Sequence, residues 1–320
     1  MEQIARQQLV DTLNGHIMPH RKPLKTQLLQ SPGLLLQRFL TVKAATLAVR
    51  LQRGRDMSRR MFYGEDIRFP FPACWDLAVY RSYIDEAELR LLKYLILNLP
   101  SGGQFLDVGA NIGLMSQVAA KVMGPDGRVY AFEPGAQALS YCKDNVARFP
   151  QVQIVAKAAM DAPGELTFFE GTGACMVSSS TVEAHFDGRD KNVREVTIEA
   201  TTLDDFCASE AAVPDVIKID VEGAELSVLK GARRVLETIR PSVVLEVSFK
   251  PEEFEELYQP PIRLLQEAGY VAHAIGPNGT PHAISNAFEE HAKQCTFANG
   301  YLHVLDNLLF LHPEGRASGV

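Results

Sequence analysis

The sequence lacks the patterns that would assign it to several common protein classes. It has no Cys-x-x-Cys pair, and its five cysteines are widely spaced, so neither a disulfide framework nor a zinc knuckle is predicted. No run reaches the roughly 18 to 20 apolar residues of a membrane span, and the N-terminus lacks the basic-then-apolar order of a signal peptide. His-Glu-x-x-His, Gly-x-Ser-x-Gly and Walker sequences are also absent. We therefore expect a cytoplasmic protein with no resident metal site and no nucleic-acid partner.

Acidic residues are scarce at the start of the chain, although the whole protein has a net charge of −7. Residues 1–60 carry a balance of +8 and the remainder a balance of −15. This segregation predicts a basic, mainly helical extension over residues 1–80 and a main domain over residues 81–320. Within the extension, one helical face carries Leu36, Leu40, Ala44, Leu47 and Leu51. That helix either packs on the core or on a second subunit, or it lies on an anionic membrane surface or a phosphorylated substrate carrier.

The remainder of the chain alternates short apolar runs with helix-length patterns, which predicts a doubly wound parallel α/β sheet. Strands are expected near 104–108, 128–132, 152–156, 215–220, 242–248, 270–275 and 307–312, with helices near 85–97, 112–123, 135–148 and 222–238. The region 164–201 differs, because two strand-like runs enclose the polar loop 171–192. Two prolines predict a loop over residues 68–75.

The stretch Phe105-Leu-Asp-Val-Gly-Ala-Asn-Ile-Gly113 runs from a strand through a glycine-bearing turn into a helix. Such turns bring backbone N–H groups close to a ligand. Gly109 allows a sharp turn, Asn111 tolerates a left-handed backbone, and Gly113 allows close packing of the helix. Asp107 would repel a pyrophosphate but would attract an amino group. S-adenosylmethionine carries such a group, so this turn is a candidate site for it.

Two further strand ends supply candidate cofactor ligands. Glu133, in Ala-Phe-Glu-Pro, ends the second strand of the βαβ unit and could hold two ribose hydroxyls, or could simply cap the next helix. Met160 and Asp161 follow the third strand. Asp161 could accept from an adenine amino group while Met160 covers the ring, or Asp161 could be only a turn residue.

The candidate catalytic residues lie in Val216-Ile-Lys-Ile-Asp-Val-Glu-Gly-Ala-Glu225 and on the strand after it. Alternation places Lys218 and Asp220 on one face, and a lysine inside a covered parallel strand needs a partner. Asp220 is then the candidate base or hydroxyl-orienting group, positioned by Lys218. Glu222 follows at the start of the next helix. Glu246 should lie beside Asp220 if their strands are neighbours, and with Glu222 it would bind substrate hydroxyls.

In combination and order, these motifs resemble the FkbM family of S-adenosylmethionine-dependent methyltransferases. Thr202-Leu-Asp-Asp-Phe206 and Val228-Leu-Lys-Gly-Ala232 extend the resemblance, which covers about residues 80 to 250. It implies a class I methyltransferase (Rossmann-like) fold, with a mostly parallel seven-stranded sheet whose last strand is antiparallel. It also implies that Asp107, Gly109, Asn111 and Gly113 line the methionine part of the cofactor, Glu133 the ribose, and Asp220 and Glu222 the methyl group.

The family's usual reaction is O-methylation of a hydroxyl, often on a sugar, glycolipid or polyketide, so a small-molecule or glycoconjugate substrate is expected. A divalent metal held by Asp220, Glu222 and Glu246 is an alternative that no sequence pattern specifically indicates. Two other functions stay open: a nicotinamide-dependent oxidoreductase, which would require Gly-x-Gly-x-x-Gly, and a catalytically silent binding module. The resemblance does not extend to the basic N-terminus.

Overall fold

The described part of the chain forms a central sheet with helices on both sides, preceded by a helical segment. The computed structural model describes residues 3–21, 25, 29, 32–50, 55–82, 85–171, 193–247, 254–284 and 307–316. Its helices are α1 Gln3–Arg21, α2 Pro32–Arg50, α3 Trp75–Tyr80, α4 Glu86–Asn98, α5 Leu114–Met123, α6 Ala136–Val146, α7 Leu203–Ser209, α8 Glu225–Lys230, α9 Arg233–Thr238 and α10 Gln259–Glu267. Its strands are β1 Arg55–Arg60, β2 Asp66–Phe71, β3 Gln104–Val108, β4 Arg128–Phe132, β5 Val152–Val155, β6 Ala158–Ala159, β7 Gly164–Gly171, β8 Val193–Thr201, β9 Val216–Ile219, β10 Ser242–Glu246, β11 Val271–Ile275, β12 Pro281–Ala283 and β13 Asn307–Leu311.

The central sheet has the order β12-β11-β13-β10-β9-β3-β4-β5. Strands β5, β4, β3, β9 and β10 are parallel to one another, and β13 is antiparallel between β10 and β11. This confirms the mostly parallel sheet with an inserted antiparallel strand. The expected strand number was one too low, because β12 folds back on β11 as a short hairpin and adds an eighth strand at the edge.

Both faces of the sheet are covered, which explains why its inner strands are apolar throughout. One apolar cluster joins the sheet to α1, α4 and α5 through side chains such as Leu13, Leu95 and Val118. The other joins the opposite face to α7–α10 through Phe206, Leu229 and Leu265. The doubly wound architecture is therefore confirmed. The two runs in region 164–201 are β7 and β8, which pair antiparallel in a small separate sheet with β6.

Two local expectations were wrong, and the N-terminal extension contains an element that was not expected. Between its helices, β1 pairs with β2 as an antiparallel ribbon. Part of the expected loop 68–75 is strand β2, since a two-stranded ribbon consists only of edges and tolerates Pro70. The expected helix 222–238 is divided into α8 and α9. At the division, a Cβ on Gly231 would lie 2.0 Å from the Met160 carbonyl oxygen, so the chain passes too close to β6 for an ordinary side chain.

The N-terminal helix α1 is anchored to the main domain. Its apolar side chains Val10, Leu13 and Ile17 are buried, and it packs against α4. Arg6 donates from Nη1 to the carbonyl oxygens at the end of α4, at 3.2 Å from Ile96 and 2.5 Å from Leu99. At the other end of α4, Asp85 is the N-cap, as the sequence predicts. Among the described residues, no helix is both long and apolar enough to cross a membrane.

Candidate functional site

A cavity lies at the carboxyl ends of the parallel strands, the edge at which α/β sheets bind their ligands. Its lining includes seven of the residues predicted from sequence: Gly109, Asn111, Glu133, Met160, Asp220, Glu222 and Glu246. Four other predicted residues, Asp107, Gly113, Lys218 and Asp161, do not line it. The polar loop 171–192 lies almost wholly outside the described residues.

The glycine turn after β3 is held tightly against the strand-end loop after β9. Gly109 has a φ of +83°, and a Cβ at this position would lie 1.8 Å from the Asp220 carbonyl oxygen. Only glycine satisfies both constraints. Asn111 has a φ of +51°, which confirms its left-handed conformation. Gly113, with a φ of +82°, allows close packing against α6, where a Cβ would lie 3.0 Å from Cys142 Sγ.

Asp107 is fully buried behind the cavity lining. Its Oδ2 accepts a hydrogen bond from Ser116 Oγ at 2.6 Å, and its Oδ1 lies 3.8 Å from Lys218 Nζ. Oδ1 has no hydrogen-bond partner among the described residues. Burial raises the pKa of Asp107, although the Lys218 charge opposes this. The contact of Asp107 with a ligand ammonium group stays a prediction, whereas the structure places its carboxyl group 3.8 Å from the Lys218 ammonium group.

Glu133 is buried at one end of the cavity and ties two loops together. Its Oε2 accepts from the Asn111 backbone N–H and its Oε1 from the Gly135 backbone N–H, each at 2.8 Å. Burial raises its pKa to about 7, against the effect of these two hydrogen bonds. Each oxygen keeps a second lone pair, so the carboxylate can still accept hydrogen bonds from ligand hydroxyls.

Lys218, Asp220 and Glu246 form a charged group at the other end. Lys218 Nζ donates to Asp220 Oδ2 at 2.8 Å, which confirms the partner predicted by strand alternation. Glu246 ends β10, which is adjacent to β9, and its carboxyl group is hydrogen-bonded to that of Asp220. Burial and the Asp220 charge raise the pKa of Glu246 well above its usual range. Burial would also raise the pKa of Asp220, but the Lys218 charge and the hydrogen bonds outweigh it and lower this pKa. These opposite shifts favour a negative charge on Asp220 and a proton on Glu246.

The loop between β9 and α8 presents Glu222 to the cavity. Glu222 has a φ of +55°, an uncommon conformation for a side-chain-bearing residue. The buried Glu225 holds this loop, since its Oε1 accepts from the backbone N–H groups of Val221 and Gly223 at 3.2 Å each. Burial raises the pKa of Glu225 to about 7. Glu225 therefore organises the loop and does more than interact with the helix dipole.

Sequence reasoning missed two residues beside this charged group, Glu88 and Asn307, neither of which lines the cavity. Asn307 is paired with Glu246 across β10 and β13, and its Nδ2 donates to Glu88 Oε1 at 3.2 Å. Burial raises the pKa of Glu88 to about 7, while the charge of Lys218 opposes this. The Asn307 Oδ1 atom is buried without a hydrogen-bond partner in the described part of the chain. No local motif marks either residue, because Glu88 resembles an ordinary acid in the first turn of a helix.

The groups lining the cavity suit the three parts of S-adenosylmethionine. Asn111 Oδ1 is buried, has no hydrogen-bond partner within the described ranges and can accept from an ammonium group. Glu133 can accept from ribose hydroxyls, and Met160 and Phe168 supply an apolar wall for a flat ring. Asp161 lies away from this wall, exposed, with its backbone N–H bonded to Ser227 Oγ at 3.2 Å. The described residues contain no group of three or more His, Cys, Asp or Glu side chains arranged to hold a metal ion.

Comparison with known proteins identifies similar domains. The family model described as "Methyltransferase FkbM domain" matches residues 107–272, just over half of the chain. Hexuronic acid methyltransferase AglP of Haloferax volcanii is 29% identical over 162 residues, which cover 50% of this chain and 62% of that protein. The 2-O-methyltransferase NoeI of Sinorhizobium fredii is 25% identical over 146 residues, covering 42% and 59%. The aligned region thus spans about three fifths of each of these two relatives.

Two further similarities extend to other methyltransferases. A probable cobalt-precorrin-6B C(15)-methyltransferase of Pyrobaculum calidifontis is 28% identical over 156 residues, which cover 47% of this chain and 78% of that protein. The crystal structure of methyltransferase FkbM from Methylobacillus flagellatus superposes with a TM-score of 0.42 and 18% identity, covering 66% of this chain and 44% of that one.

Proposed function

This chain belongs to the FkbM methyltransferase family, and from this premise we propose that it transfers the methyl group of S-adenosylmethionine to a hydroxyl group of a sugar, glycolipid or polyketide-type acceptor. AglP and NoeI, whose names specify a hexuronic acid methyltransferase and a 2-O-methyltransferase, support a sugar hydroxyl among these acceptors. We assign the activity to residues 81–320. The buried free cysteines Cys74, Cys142 and Cys207 support a reducing compartment, and we propose the cytoplasm.

The proposal rests on one observation. A single cavity combines Glu133 and Asn111 at one end with Asp220 and Glu246 at the other, and Lys218, behind the lining, is ion-paired with Asp220 at 2.8 Å. The first end is suited to a hydroxylated, amino-bearing cofactor. The second offers a negative oxygen to a neutral hydroxyl, which is a poor nucleophile until its proton is removed.

Each end has a separate task in this mechanism. When bound, S-adenosylmethionine supplies a methyl group on a positively charged sulfur. Asp220 accepts a hydrogen bond from the acceptor hydroxyl and takes its proton as the oxygen attacks. Lys218 and Glu246 hold the Asp220 carboxylate in place, and Glu222 and Glu246 bind further acceptor hydroxyls. The cavity contributes mainly by orienting the acceptor oxygen and the methyl group, because the displacement requires the reacting atoms to lie in line.

The two competing functions make different predictions. A nicotinamide-dependent oxidoreductase would require a glycine pattern that this turn lacks, and the acid Asp107 would oppose a pyrophosphate. A catalytically silent binding module would not require a base, and therefore would not require Asp220 to be held negative beside a lysine. The alternatives also differ in which cofactor the protein binds, and this binding can be measured directly.

The test uses calorimetry and a transfer assay on the full chain. We expect S-adenosylmethionine and S-adenosylhomocysteine to bind and NAD not to bind, and label from methyl-labelled S-adenosylmethionine to appear on a hydroxylated sugar in a base-stable linkage. Binding of NAD alone would support the oxidoreductase. Binding of S-adenosylmethionine with no transfer to sugar, glycolipid or polyketide hydroxyls would contradict the proposed reaction. Only the assignment of the cofactor would then stand.

A further inference from the structure

Helix α2 presents an apolar face to solvent. Leu36, Phe39, Leu40 and Leu47 are 59%, 57%, 56% and 56% exposed. Their spacing places them on one side of the helix, whereas the half-buried residues, such as Leu35 and Thr41, lie on other sides. In the described residues, this apolar face therefore does not pack on the core of its own chain, and a second subunit or an anionic surface remains as its partner. An apolar helix face in water usually marks an interaction surface.

The opposite side attaches α2 to the folded domain. Helix α2 packs against α3, and the Arg38 guanidinium lies 5.9 Å from the centre of the Tyr80 ring. The outward orientation of the apolar face is therefore fixed by contacts on the other side of the helix.

The charged residues that lie near α2 in the sequence are all basic. Residues 12–55 contain eight Lys or Arg and no Asp or Glu. Lys43 lies within the apolar face itself, with its ammonium group 5.6 Å from the centre of the Phe39 ring. The surface defined by Leu36, Phe39, Leu40, Lys43 and Leu47, which we term the α2 face, thus combines exposed apolar side chains with a cation.

We propose that the α2 face docks the protein onto an anionic lipid bilayer. The apolar side chains would insert at the level of the acyl-chain boundary, with the helix lying parallel to the surface. Lys43 would extend its ammonium group to the lipid phosphates while its stem stays among the chains. The surrounding basic residues would add attraction to a negatively charged leaflet. This surface is independent of the reaction proposed above.

A second copy of the chain is the less favoured occupant, for a reason of symmetry. A two-fold interface brings the same surface of each copy together. The two Lys43 ammonium groups would then be enclosed between acid-free helices, and a buried charge without a partner is costly. At a bilayer surface the same ammonium group remains solvated and faces phosphate.

The test is sedimentation of the full chain with vesicles of phosphatidylcholine alone or with about one third phosphatidylglycerol. We expect binding to the anionic vesicles that weakens as salt is added, and little binding to the neutral ones. The double variant Phe39→Glu with Leu40→Glu should weaken binding by about tenfold or more, and Lys43→Gln by about fivefold. Val213→Glu is the matched control, because Val213 is an exposed apolar residue of the main domain, and it should bind as the native protein does.

The variants must keep the native melting temperature and cofactor affinity, since all the changed side chains are exposed. Vesicle binding that ignores lipid charge, or that the double variant retains, would overturn the proposal. Light scattering supplies the other decisive outcome. A dimer in solution that the double variant converts to a monomer would assign the α2 face to a second copy and not to lipid.

Discussion

The two ends of the cavity hold carboxylates in opposite electrostatic surroundings. Glu133 is bound by two backbone N–H groups, and burial raises its pKa to about 7. Asp220 has Lys218 at 2.8 Å and a hydrogen bond from Glu246, and its pKa is lowered. Burial acts in the same direction on both groups, so the counter-charge decides the protonation state. A carboxyl group that binds hydroxyls can lack a cation, whereas one that must stay negative cannot.

The largest expected effect concerns the charge of Asp220. Asp220→Asn keeps the shape of the side chain but removes the negative oxygen, so we expect turnover to fall by about 10²- to 10⁴-fold. The affinity for S-adenosylmethionine, measured by calorimetry, should change little, since the other end of the cavity is intact. Asp126→Asn, at an exposed turn acid, is the control. If Asp220→Asn folds and turns over like the native enzyme, the two ends do not differ in function.

The second prediction removes the cation itself. Lys218→Met leaves the carboxylates of Asp107 and Asp220 without their shared positive charge, and we expect the free energy of unfolding to fall by about 3–5 kcal/mol. Urea denaturation measures this change. Lys230→Met is the control, since Lys230 is exposed at the end of α8. A variant as stable as the native protein would mean that Lys218 is not what keeps Asp220 ionised.

The third prediction concerns the other end. Glu133→Gln removes a charged acceptor for ligand hydroxyls, so the Kd for S-adenosylmethionine should rise about ten- to hundredfold. Turnover at saturating cofactor should fall much less. The exposed β7 residue Glu165 provides the control Glu165→Gln. A loss of turnover with unchanged Kd would reverse the roles assigned to the two ends.

The smallest effect is a dependence of stability on pH. Glu88, Glu133 and Glu225 have pKa values raised to about 7, mainly by burial. Between the usual glutamate pKa and about 7, the folded protein therefore keeps protons that the unfolded chain releases. The free energy of unfolding should decrease as pH rises through this window, by up to about 1.4 kcal/mol per pH unit for each group.

Urea denaturation of Glu225→Gln tests this directly, because Gln can still accept the loop hydrogen bonds but does not titrate. The slope of stability against pH should flatten relative to the native protein. Glu267→Gln, at an exposed position, should leave the slope unchanged. A slope of the opposite sign, or one that Glu225→Gln leaves intact, would contradict the raised pKa values.

The sequence predicts those parts of the site that follow from strand periodicity. Lys218 and Asp220 are two residues apart on one strand, and Glu246 ends the neighbouring parallel strand, so their proximity needs no knowledge of the tertiary structure. The register between neighbouring strands does not follow from the periodicity of either strand. It sets Lys218 directly beside Asp107 on β3, which the sequence pattern did not reveal. Asp107 was therefore interpreted from its own strand alone, as a ligand-facing acid.

The other features that the sequence analysis did not predict depend on contacts between distant segments of the chain. Glu88 and Asn307 are 219 residues apart, and neither lies in a motif. The ribbon of β1 and β2 was missed because its residues are charged or proline-containing and follow a long helical pattern. In both cases the deciding interaction is made with a segment that single-sequence periodicity cannot identify.

The contact between Gly109 and Asp220 joins the turn after β3 directly to the loop after β9. With a hypothetical Cβ only 1.8 Å from the Asp220 carbonyl oxygen, the two loops touch backbone to backbone with no side chain between them. A movement of the Gly109 turn toward this loop would therefore push on the main chain of Asp220. Under the proposed function, cofactor binding at the turn and positioning of the acceptor beside Asp220 would therefore be coupled through a main-chain contact rather than through a relay of side chains.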